Sequence, residues 1–140
     1  MTIILDRRAL NSIMKAKILF VDDDPVTLQL MVRVAEFLGD DPLASNSPRT
    51  ALALAAKEIP QLIVVDMQMQ KMNGIQFVVN LRKNELTRRI PTVLISAEKR
   101  PEEVAQAKKV GANGFFQKPL SIDEMTRIIK HFTNSVRDTH

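Results

Sequence analysis

The sequence predicts an α/β domain, a five-stranded parallel sheet covered by helices on both faces. Short aliphatic runs alternate about five times with segments of helical periodicity, and the connections between them are short. The run Leu62 to Asp66, Leu-Ile-Val-Val-Asp, is apolar up to its final carboxylate and bounded by Pro60 and a polar loop, as expected of a strand buried on both faces. Prolines at 25, 48 and 101 stand where a helix would begin, the position at which the missing N–H costs nothing.

The chain has 140 residues, near the commonest size for one domain, and its 45% apolar content is that of a globular protein. No run approaches the roughly 18 apolar residues of a membrane helix, and no secretory h-region opens the chain. With no cysteine there are no disulfides or thiolate metal sites, so a cytoplasmic protein is the default. The net charge of +4, from 20 basic and 16 acidic residues, is scattered along the chain. Six Phe and no Trp or Tyr offer no stacking platform, so no nucleic acid is expected as partner, and with no membrane-length apolar run no membrane is expected either.

In order, residues 1–14 form an N-terminal extension, possible as a helix through Ile3, Ile4, Leu10, Ile13 and Met14. Lys17 to Val21 is the first strand, followed at once by Asp22, Asp23 and Asp24. Asp24 caps a helix from Pro25 whose face is Leu28, Met31, Val34, Ala35 and Leu38, until Gly39 stops it. Leu43 to Ser45 is a weakly signalled second strand. Ser47-Pro48 opens an Ala-rich helix that ends before Pro60. After the strand at 62–66, Asn73-Gly74 opens a third helix through about Asn84, with Phe77, Val78 and Leu81 inward. Thr92 to Ser96 is the fourth strand, and a fourth helix runs from Pro101 to Gly111. Gly114 to Gln117 is the fifth strand, with Lys118 at its end. The last helix carries a capping box, Ser121 with Glu124, and a Leu120–Met125 staple. Its inward face is Ile122, Met125, Ile128, Ile129 and Phe132.

Asp22, Asp23, Asp66, Ser96 and Lys118 all fall at carboxyl ends of expected strands, where ligands bind in open α/β sheets. In a sheet of order 2-1-3-4-5 the first and third strands are neighbours and the acids converge. Two carboxylates about 4 Å apart repel by roughly 4 kcal/mol at an effective dielectric of 20, and one lysine cannot neutralise three of them. A divalent cation would. With only oxygen ligands on offer, Mg²⁺ is the natural choice, and it completes its shell with water and phosphate oxygens. Asp66 then reads as a nucleophile that accepts a phosphoryl group, with Lys118 and Ser96 stabilising the transferring oxygens. Singly, a carboxylate after a strand is most often a helix cap, a serine a turn residue and a lysine a solvated cation. Jointly, their gathering at four strand ends is not explained by capping.

The sequence resembles the response-regulator receiver domains of two-component signalling, over residues 15–136, with a tail at 137–140. The marks are Ile-Leu-Phe-Val-Asp22-Asp23-Asp24-Pro, Leu-Ile-Val-Val-Asp66-Met-Gln-Met with Met72-Asn73-Gly74, Pro91-Thr-Val-Leu-Ile-Ser96-Ala97, and Gly111-Ala-Asn-Gly-Phe115-Phe-Gln-Lys118-Pro119. The resemblance implies a flavodoxin-like (βα)5 three-layer sandwich. It implies that Asp66 is phosphorylated by a histidine kinase or a histidine phosphotransfer protein, and that the domain is a signalling phosphoacceptor, not a turnover enzyme. It places Asp23, Asp66 and the backbone carbonyl of Gln68 on Mg²⁺, with Asp22 acting largely through water. Ser96 and Phe115 take the places of the family's switch pair. Gln68 and Glu98 stand where acyl-phosphate hydrolysis is tuned, and Lys118-Pro119 matches a bond that is often cis. Gln70 replaces the usual Pro and Asn73 a frequent Asp, which implies a less rigid loop. Phe115 lacks the hydroxyl of the frequent Tyr. The family's usual partner or homodimer face is the fourth helix, fifth strand and fifth helix, here with Val104, Lys108, Phe115, Met125 and Lys130, and the downstream target is unspecified.

Two rivals remain. A haloacid-dehalogenase-type phosphatase would use Asp22 as nucleophile and Asp24 as acid, but only Asp123 and Glu124 follow the lysine and Asp66 would have no role. A pseudo-receiver would keep the partner face without phosphorylation, against which the complete set of acids, Ser96 and Lys118 argues. No Gly-rich phosphate loop or aromatic pair favours a flavin. No output domain is expected after the last helix, so the chain reads as a stand-alone regulator or a receiver excised from something longer.

Overall fold

The structure, a computed structural model, describes residues 15–137. The extension at 1–14 lies outside the described residues, as does the tail apart from the backbone of Arg137. The elements are β1 (Lys17–Val21), α1 (Pro25–Phe37), β2 (Asp41–Ser45), α2 (Pro48–Glu58), β3 (Leu62–Asp66), α3 (Gly74–Lys83), β4 (Thr92–Ser96), α4 (Pro101–Lys109), β5 (Gly114–Gln117) and α5 (Ile122–Arg137). All strand pairs are parallel and the order is β2-β1-β3-β4-β5, the expected flavodoxin-like arrangement.

Alternating strand residues feed two cores. Leu19, Val21, Ile63, Val65 and Leu94 pack with α2, α3 and α4. Ile18, Phe20, Leu62, Val64 and Ile95 pack with α1 and α5. β3 is buried at every position, so its continuous apolar run serves both layers.

The helix starts follow the capping chemistry read from the sequence. Asp24, Ser47 and Asn73 are N-caps, and Asn73 forms a reciprocal box with Gln76. Ser121 and Glu124 close theirs, Glu124 N–H donating to Ser121 Oγ at 3.0 Å and Ser121 N–H to Glu124 Oε1 at 3.2 Å. The Lys118-Pro119 bond is cis.

Two expectations are corrected. β2 begins at Asp41, not Leu43, and includes Pro42. Among the described residues its only partner is β1, and an edge strand has no second ladder to lose to a proline. Ile122 is 61% exposed and does not join the buried face of α5: it shares the angular stripe of Met125 and Ile129, but as the first residue of the helix it stands at the edge of the layer.

Gly74 carries a tight approach. A Cβ there would meet Leu94 Cδ2 at 2.5 Å, Met67 Cα at 2.9 Å and the Asp66 carbonyl at 3.0 Å. Its N–H also donates to Met67 O at 2.8 Å, which closes the loop leaving Asp66. Gly74→Ala is therefore expected to cost about 1–3 kcal/mol by overpacking, measured by urea unfolding. An unchanged midpoint would show that the loop yields freely.

Candidate functional site

β1 and β3 are hydrogen-bonded neighbours with Val21 opposite Val65, so Asp22 and Asp66 leave the sheet side by side. Both are buried, Asp22 at 1% and Asp66 at 7% exposure, while Asp23 is exposed. Carboxylate oxygens of the three lie within 4.8 Å of one another.

Lys118 reaches this corner from the end of β5. Its Nζ is 3.1 Å from Asp22 Oδ2 and 3.1 Å from Asp66 Oδ1, a bridge between two carboxylates. Its backbone N–H donates to Ser96 O at 2.7 Å, so the chain that carries the ammonium is anchored to the end of β4. Asp22 Oδ1 accepts from Asp24 N–H at 2.9 Å, which fixes the carboxylate from its other side.

Burial, the larger cause, and the Asp22 charge together hold the Asp66 carboxyl above its ordinary value, against the opposing pull of Lys118 and the Gln68 N–H. Burial alone would lower Lys118, but its contacts with Asp22 and Asp66 outweigh it and the ammonium is held above its ordinary value. The corner thus holds more negative charge than its one lysine relieves. Asp23 makes no ion pair among the described residues. The donor set is all oxygen, with no His or Cys in the cluster, and three acids this close match what a hard divalent cation takes.

Ser96 is fully buried at the end of β4, one position past the residue paired with Asp66. Its Oγ accepts from Glu98 N–H at 3.3 Å, which leaves the hydroxyl proton to donate elsewhere. Gln68 lies exposed two residues beyond Asp66, its backbone N–H favouring the charged form of that carboxyl. Phe115, on β5 opposite Leu94, is only 8% exposed and packs with the α2–α3–α4 core.

One rival reading falls here and one expectation changes. Asp24 is spent on α1, accepting from Val26 N–H at 3.2 Å and from the Thr27 hydroxyl at 2.6 Å, and it is outside the acidic cluster. The phosphatase reading thereby loses its acid. Phe115 and Met125 are buried and cannot lie on a partner face, since each fills the core beneath it, whereas Lys108 and Lys130 are exposed. The sequence reading also missed an apolar groove between α1 and the start of α5, about 180 Å³, with Lys118 on its wall and Leu30 and Ile122 exposed on its rim. Leu30 lies off the inward stripe of α1, and an apolar residue on the outward side was the available signal.

Well below the ordinary carboxylate value of about 3.9 the Asp66 carboxyl is protonated folded or unfolded and costs nothing; as pH rises past that value and through its raised folded value, ionisation disfavours the fold. Asp66→Asn is expected to raise Tm by a few degrees, on the order of 1 kcal/mol, at pH 7 without divalent ions. The gain should vanish toward pH 3–4, to about nothing. A variant no more stable than wild type at pH 7 would contradict this electrostatic picture.

Comparison with known proteins gives the same answer. The family described as the response regulator receiver domain matches residues 18–130. The chain is similar to protein PilH of Pseudomonas aeruginosa, 27% identical over 114 residues that cover 81% of this chain and 94% of PilH. It is 29% identical over 117 residues to the phosphate regulon transcriptional regulatory protein PhoB of Escherichia coli, covering 84% of this chain and 51% of PhoB, so it spans about half of that relative. The chemotaxis protein CheY4 of Vibrio cholerae superposes with a TM-score of 0.81 at 28% identity, over 84% of this chain and 98% of CheY4. A parallel sheet that delivers its acids and its lysine to one corner, matched to the family over most of its length, establishes that this chain belongs to the response-regulator receiver domains of two-component signalling.

Proposed function

We propose that Asp66 accepts a phosphoryl group from the phosphohistidine of a histidine kinase or histidine phosphotransfer protein, in a Mg²⁺-dependent reaction. The observation that carries this is the Lys118 bridge to Asp22 and Asp66 beside a third carboxylate. Asp22, Asp23, Asp66 and the Gln68 backbone carbonyl would hold the ion. When bound, it supplies positive charge to the carboxylates and to the phosphoryl oxygens.

In the transfer an Asp66 oxygen forms the new P–O bond as the P–N bond to the donor imidazole breaks, its electron pair staying on that nitrogen. Lys118, partly buried and within reach of Asp66, takes up a phosphoryl oxygen, and the Ser96 hydroxyl donates to another. The exposed Val26, Leu30 and Ile122 about the α1–α5 groove suit docking of the donor protein next to this corner. The domain accepts and loses the group without acting as a conventional turnover enzyme.

The relay we assign to the α4–β5–α5 surface starts at Ser96. Its Oγ holds the Glu98 N–H, and Glu98 pairs with Arg100, the N-cap residue of α4, at 2.5 Å. A Ser96 drawn toward a phosphoryl group would release this loop, while Phe115 beneath would repack. The same surface would serve an unspecified protein target or a homodimer.

Incubation with a small-molecule phosphodonor is expected to add one phosphoryl group to the intact mass in the presence of Mg²⁺. The gain should be absent in Asp66→Asn and without Mg²⁺. No gain in the wild type would favour the pseudo-receiver. Independently, methyl spectra are expected to shift at Val104, Met125 and Ile128 on addition of a phosphoryl mimic. Spectra identical in both states would remove the relay.

A further inference from the structure

Because every strand is parallel, the helix-to-strand connections all emerge at the end of the sheet opposite Asp66. Five of the exposed cations scattered along the sequence stand there, with the exposed Glu85 among them. Lys83, Arg88 and Arg89 in the last turn of α3 and the following connection, and Lys108 and Lys109 in the last turn of α4, are all exposed. None makes an ion pair among the described residues, although other cations do.

Arg82 locks the two connections together. Its half-buried guanidinium donates to Gly111 O at 2.9 Å, Ile90 O at 3.0 Å and Asn113 Oδ1 at 3.2 Å, and to no carboxylate. A rigid cationic rim results. The helix macrodipole accounts for lysines in last turns, but not for Arg88 or Arg89.

Two apolar tips are exposed at the same end. Leu86 is 63% exposed between Lys83 and Arg88. Ile59, the C-cap of α2 in the same helix layer, is 43% exposed with φ 45°, a left-handed conformation that a β-branched residue adopts only under strain. Glycine would hold that cap more cheaply, so the isoleucine brings the fold no evident benefit.

We propose that this end of the α2–α3–α4 layer is a peripheral docking surface for a membrane rich in anionic lipid. The cations meet headgroup phosphates, and Leu86 and Ile59 enter the boundary between headgroups and acyl chains. A nucleic acid would satisfy the charges but leave both apolar tips in water, and no aromatic stands among them. The contact is peripheral, since no helix among the described residues is long and apolar enough to cross a membrane. Docked this way, the Asp66 end faces away from the bilayer and stays open to a phosphodonor protein.

The chain has no Trp or Tyr, so Leu86→Trp installs a sole reporter. With phosphatidylglycerol-containing vesicles at physiological salt, its emission is expected to move to the blue, and with pure phosphatidylcholine to stay. Wild type should co-sediment with the anionic vesicles. Arg88→Gln with Arg89→Gln should weaken this about thirty-fold with an unchanged circular dichroism spectrum. Asp66→Asn should bind as wild type, so the result is independent of phosphorylation. An unmoved reporter with the wild type left in the supernatant overturns the proposal. So does retention on duplex DNA or polyglutamate with no vesicle response, which would assign the rim to those partners.

Discussion

Three carboxylates share one corner of the sheet with a single ammonium, and the surrounding structure is arranged to hold them there. At the 3.1 Å separations of the Lys118 bridge each attraction is about 5 kcal/mol at an effective dielectric of 20. Acids within 4.8 Å of one another repel by about 3 kcal/mol per pair on the same scale. Lys118 offsets the two buried acids and leaves the third unrelieved. A corner so charged favours whatever brings positive charge to it.

The parallel sheet makes this corner possible. Antiparallel strands would send alternate ends to opposite edges, whereas five parallel strands place Asp22, Asp66, Ser96 and Lys118 at one edge. The two apolar layers keep the strands fixed, and Gly74 lets α3 start directly against the backbone of Asp66 and Met67. Rigidity at Asp66 is thus a consequence of packing. The contacts beyond Ser96 are weaker: its Oγ accepts from the Glu98 N–H at 3.3 Å, and the Arg100 ion pairs that follow are exposed.

The strands that form the site were legible because fully buried strands read as unbroken aliphatic runs, and the helix starts because Asp24, Ser47, Asn73 and Ser121 announce their caps chemically. What stayed hidden depends on position in space. Pro42 concealed the start of β2, since nothing local says that a strand lies at an edge. Phe115 and Met125 were placed on a surface that they underlie, because residues of the right elements need not have outward side chains. The Arg82 clamp joins carbonyls from two connections, and backbone acceptors leave no trace in side-chain patterns.

The most direct test of the charge imbalance is a carboxyl-carbon NMR titration of Asp66 with and without Mg²⁺. Asp66 is expected to titrate above the ordinary carboxylate value of about 3.9 in the absence of the ion. Its midpoint should fall when Mg²⁺ is added, and also in Asp22→Asn without the ion. Titration at or below the ordinary value without Mg²⁺, unmoved by the ion, would contradict the account.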